Sequence, residues 1–230
     1  MTSCTISDNE QKGLDEVEKT YGGKVSFKIG TFTSTNPNAA QGKLLEIDLT
    51  NANLSRYGGK LYLPAANAAM LMYNRMTTAE RADYNGLQVV LQQGDTSRTS
   101  SYPMPLLADA ALAYHQMKIL LDGWQQKDYQ LVADHWNGIA LIRPDRTGLP
   151  AACARPGAKI GPIAGFYLEG FLGGRAPVNG HREQLLNVYV TIAAPSGSTR
   201  QMLFCLNPKL PDNGHFLYGL EFLKPPFASQ

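Results

Sequence analysis

Residues 105–136 read PLLADAALAYHQMKILLDGWQQKDYQLVADHW, and this stretch decides the fold. Leu107, Ala110, Ala111, Tyr114, Met117, Leu121 and Trp124 recur at the i, i+3, i+4 and i+7 intervals of one helix face, so a long amphipathic helix is predicted over 105–126. Asp128 then has the chemistry of an N-cap, and Tyr129, Val132 and Trp136 share the inner side of a second, shorter helix. Beyond it come runs that alternate or are continuously apolar over strand lengths: GPIAGFYLEGF, LLNVYVTIAA, TRQMLFCL and HFLYGLEFL. A helix followed only by strands predicts an α+β unit in which helices pack on a curved antiparallel sheet, cone-like and with room for a pocket.

Working outward towards the N-terminus, Ser7 and Glu10 have capping-box spacing, and Leu14, Val17 and Tyr21 continue at helical intervals until Gly22-Gly23 stops the helix. KVSFKIGTF and KLLEIDLTN alternate and should pair as a hairpin. A second helix is expected over 64–76, with Pro64 in its first turn. Thr77 and Glu80 open a third, short helix, and LQVVLQQ follows as a strand with a hairpin partner near 98–104. Residues 1–104 therefore form an N-terminal α-β-β-α-β unit and residues 105–230 the cone. Residues 143–160 carry Pro144, Pro150 and Pro156 with Gly148 and Gly157, and are expected to be an irregular connection.

Composition narrows the function classes. The 230 residues are 43% hydrophobic and only 17% charged, with 22 Gly and 14 Pro, which suits a turn-rich chain with a sizeable core. A net charge of +2 without any Lys/Arg run gives no nucleic-acid surface. No stretch reaches the ~18 uninterrupted apolar residues of a membrane span.

The helix, the break at Lys127-Asp128-Tyr129, the short helix and the closing meander resemble the nuclear transport factor 2-like superfamily, also called SnoaL-like or cystatin-like, over residues 105–224. The whole chain, including YGGKVSF and YNGLQVVL, resembles uncharacterised exported lipoproteins of Bacteroidetes-type bacteria. Thr2-Ser3-Cys4 looks like the end of a lipobox, which makes Cys4 a lipidation candidate and the bacterial cell envelope the expected location, either periplasmic or as an outer-membrane lipoprotein. The alternative is a cytoplasmic chain that happens to begin this way. A lipid on Cys4 is the only membrane attachment foreseen.

Chemistry is sparse. His115, His135, His181 and His215 show no metal-ligand spacing, and GxSxG, P-loop and GxGxxG motifs are absent from the sequence. No metal or cofactor is expected. Tyr114, His115, Trp136, Tyr167, Tyr189 and Tyr218 are the candidate lining of a pocket between helix and sheet, since a buried tyrosine hydroxyl needs a partner and suits a polar-apolar ligand. Ordinary core packing is the plainer role of the aromatics, and a partly buried, hydrogen-bonded position at a helix edge that of His115. The reading is a non-catalytic module for a small ligand or an envelope protein, with a homodimer through the sheet face as a secondary expectation. The alternative is a small isomerase- or hydrolase-type enzyme using His115 or His135 as base beside a tyrosine. Cys153 and Cys205 would form a disulfide if the fold brought them together.

Overall fold

The computed structural model describes residues 6–33, 35, 40–57, 59–94, 96–138, 148–160, 162–178 and 181–223. The chain is α+β and divides into two compact units, Met1–Ala108 and Asp109–Gln230.

The first unit begins with α1 (Asp8–Tyr21). The Ser7 hydroxyl accepts from the Glu10 amide and the Glu10 carboxylate accepts from the Ser7 amide, the reciprocal capping box foreseen from spacing. Gly22, at φ 65°, ends the helix. β1 (Lys24–Phe32) and β2 (Gly42–Thr50) pair antiparallel. A 3₁₀ turn at Ser55–Tyr57 leads to α2 (Tyr62–Arg75), then α3 (Thr78–Ala82), capped by a second box between Thr77 and Glu80. β3 (Gly86–Gln93) and β4 (Thr96–Pro103) complete a sheet of order β1-β2-β3-β4, in which β2 and β3 run parallel. That parallel pair follows from the α2–α3 crossover, because parallel strands need a connection long enough to return the chain to the same end. Leu45, Ile47, Leu49, Leu87, Val89 and Leu91 form fully buried rows, with α1 and α2 packed on each other and on the sheet.

α4 (Met104–Gln125) follows β4 without a break and carries the chain into the second unit. Ala113, Met117, Leu120, Leu121 and Trp124 are buried along it, while Tyr114 lies at the edge of the stripe. Lys127, at φ 62°, makes the break, and Asp128 caps α5 (Tyr129–Asp134) by accepting from the Leu131 amide. Trp136 makes a parallel bridge with Leu217. Among the described residues, no helix is long and apolar enough to cross a membrane.

Residues 149–160 depart from expectation. They form α6 (Leu149–Ile160) rather than an irregular connection. Pro150 falls in the first turn, where its missing N–H costs no helix bond, and Ala151, Ala152 and Ala154 favour helix behind it. The closing sheet is an antiparallel meander of β5 (Gly165–Val178), β6 (His181–Ala193), β7 (Thr199–Leu206) and β8 (Leu217–Leu223). β5 runs through Gly173, Gly174 and Pro177, longer than the sequence pattern suggests. It is an edge strand, where a proline can sit with its nitrogen away from the ladder.

Candidate functional site

The faces of the second sheet are set by the alternation of its strands. Leu186, Val188, Val190 and Ile192 of β6 and Met202, Phe204 and Leu206 of β7 are buried on one face. α4 packs against this face, with the Trp124 ring edge-on to Phe222 at 5.6 Å between centroids. Residues between these positions point the other way, so Tyr189 and Leu203, paired across β6 and β7, occupy the opposite, outer face. Tyr167, paired with Thr191, joins them. Tyr167 is 39% exposed and Leu172 47% exposed, large apolar groups that this face leaves partly in solvent.

Two carboxylates are set into the same face. Glu169 is the extra residue of a β-bulge, where the register skips between Leu168 and Gly170. It is buried, and its Oε1 accepts from the Thr191 hydroxyl at 2.6 Å. Towards the other end, Glu183 Oε2 accepts from the Tyr218 hydroxyl at 2.6 Å and from the Asn207 side-chain amide at 2.7 Å. Asn207 is itself fixed by the Lys209 amide, which donates to its Oδ1 at 3.0 Å. Burial, and then the negative Glu183 beside it, push the Tyr218 hydroxyl up to about 12. It therefore stays protonated at neutral pH and donates to Glu183. Cys205 lies close by, half-buried on β7, its thiol pushed up by burial.

The six pocket candidates thus separate. Tyr167 and Tyr189 share the outer face, and Tyr218 reaches Glu183 of that face. Tyr114 and His115 are on α4, against the opposite face. Tyr114 is half-buried, and burial raises its hydroxyl. His115 is exposed, with Nε2 3.1 Å from Asp212. Trp136 is half-buried and serves the α5–β8 junction through its backbone. Cys4 lies outside the described residues.

His135, the other proposed base, is engaged as part of that junction. Its Nδ1 lies 2.9 Å from the Gly214 carbonyl and its ring stacks on Phe216 at 4.5 Å. The His215 Nδ1 meets the Asp134 carbonyl, and Asn137 donates to the His215 carbonyl at 2.9 Å.

Sequence reasoning did not bring Glu183, Asn207 and Tyr218 together, nor did it foresee the role of Gln116. Gln116 is fully buried in α4 and donates to the carbonyls of Asn207 at 3.2 Å and Leu210 at 2.8 Å. With Lys209–Asp109 and His115–Asp212, it ties the 207–214 connection to the helix. Cys153 and Cys205 are both free thiols, so the conditional disulfide is not formed. Among the described residues no group of three or more His, Cys, Asp or Glu side chains could hold a metal ion.

Comparison with protein-family models, with curated proteins and with solved structures finds no match to the chain.

Proposed function

We propose that the protein is a non-catalytic interaction module of the bacterial cell envelope, which docks a partner protein on the outer face of the β5–β8 sheet. The observation that carries this reading is the collection of Tyr167, Tyr189 and Leu172 on one partly exposed face, flanked by Glu183 with its two donors. Tyrosine beside exposed leucine suits a protein contact, because the ring gives large contact area at low conformational cost. The order of α4, the break at Lys127, α5 and a four-stranded meander is what the resemblance to the nuclear transport factor 2-like superfamily rests on, and α6 is an addition to that order. The envelope location rests on Thr2-Ser3-Cys4, and a diacylglycerol adduct at Cys4, detected by mass spectrometry of protein made in its native host, is the expected outcome.

The alternative enzyme would use His115 or His135. His115 stands largely in solvent on α4, away from Tyr167, Tyr189 and Tyr218, and this exposure favours docking over it. The test places a photo-crosslinking amino acid at position 172, with exposed position 130 as control, in the native host. A discrete adduct from 172 that is absent from 130 is expected, and Tyr167→Asp should weaken binding of the purified partner about tenfold. Equal adducts from both positions, or none, would overturn the reading.

A further inference from the structure

β1 ends the first sheet. Among the described residues it pairs only with β2, so its other edge presents a row of backbone donors and acceptors. Val25, Phe27 and Ile29 stand opposite Leu49, Ile47 and Leu45 of β2. Those three partners are fully buried, yet Val25, Phe27 and Ile29 are only half-buried. The apolar row is therefore only partly covered at the edge. The reverse side of β1 is polar: Lys24, Ser26 and Lys28 are exposed, and Lys28 bonds Glu46 at 3.1 Å and Asp48 at 2.7 Å.

The geometry points to β1 as a homodimer interface, in which two copies of this chain pair their β1 strands antiparallel about a two-fold axis at Phe27. The occupant follows from the strand's own pattern. A two-fold at Phe27 sets Val25 against the partner's Ile29 and Phe27 against the partner's Phe27, so every apolar residue over 24–30 meets an apolar one. Lys28 then faces the partner's Ser26, and Lys24 the partner's Gly30. A two-fold at Lys28 would set lysine against lysine, and one at Ser26 would set Lys24 against the partner's Lys28. A two-fold at Ile29 would place Phe27 against the partner's Thr31. Only the Phe27 register both joins the apolar rows and keeps the lysines apart. β4, the opposite edge, lacks this pattern, with Thr96, Ser97, Arg98 and Thr99 all exposed.

Ser26 gives a test at an exposed side chain, opposite Asp48 within its own sheet. Sedimentation velocity over a concentration series should show a monomer–dimer equilibrium. Ser26→Lys sets two lysine pairs in apposition and should raise the dimer dissociation constant about tenfold, the effect fading with salt. Ser26→Glu should lower it severalfold, and Ser26→Thr should leave it unchanged. Circular dichroism should match wild type in all three, and melting is compared at a dilution where each is monomeric, since dimer formation itself raises the midpoint. A monomer at every concentration would overturn the proposal and leave the edge to a different chain. A dimer indifferent to Ser26→Lys and Ser26→Glu would also overturn it. Loss of that dimer on Leu172→Asp would then assign the contact to the outer face of the second sheet.

Discussion

Tyr218 shows how much one hydroxyl can decide. Its bond to Glu183 links β8 to β6 across the end of β7, and Asn207 completes the acceptor's coordination. Tyr218→Phe removes the donor and should cost about 1 kcal/mol in urea unfolding, with Glu183 still satisfied by Asn207 and solvent. The pH dependence has a definite sign. The tyrosine is harder to ionise when folded, at about 12, than when unfolded, at about 10, so the folded state holds its proton longer. Stability is unaffected below about 10 and falls as pH rises from 10 through 12, and that fall should be shallower in Tyr218→Phe. The two thiols belong at this scale too. Burial raises both Cys153 and Cys205, so a thiol reagent should label them slowly in the native protein and at once in denaturant.

Element boundaries are governed by caps and close approaches. Glu80 accepts from the Thr77 amide and the Asn9 side chain, and its carboxyl is held down to about 2, first by the Ser7 hydroxyl and then by Thr77. Because it ionises more readily folded than unfolded, its contribution is complete above an unfolded value of about 4.3 and is lost as pH falls through 2. Glu80→Gln should flatten the decline of the urea midpoint between pH 4 and 2. Gly86, at the start of β3, shows the same scale in steric form. A Cβ there would stand 2.6 Å from both the Tyr102 carbonyl oxygen and the Ala40 Cβ, and the carbonyl belongs to a strand that cannot move aside. Gly86→Ala should lower stability by about 2 kcal/mol, read as a thermal shift, whereas Gly174→Ala meets no atom within 4 Å and should be tolerated. The two capping boxes and the Asp128 cap were legible because each is made by residues three apart. The full length of β5 and the helix α6 were not, because prolines and glycines read as breaks, whereas β5 carries Pro177 at a sheet edge and α6 carries Pro150 in its first turn and Pro156-Gly157 in its interior.

Each unit of the whole molecule carries its own core, one around Ile47 and one around Phe204, both fully buried. Ile47→Ala and Phe204→Ala should each cost about 3 kcal/mol or more, with amide protection lost first in the sheet that holds the substituted residue. By its periodicity alone, the amino-acid sequence determined the α+β class, the helix-then-meander order after residue 104 and the alternation of each strand, since these depend on neighbours along the chain. Which strand face meets the helices is not a local property. It depends on how α4 docks through Trp124 against Phe222 and on the bulge at Glu169. That choice separated Tyr114 and His115 from Tyr167 and Tyr189, and it brought Glu183, Asn207 and Tyr218 together from three distant segments. Only the tertiary structure could do so, because side chains far apart in sequence become neighbours only when strand pairing and packing close the distance between them.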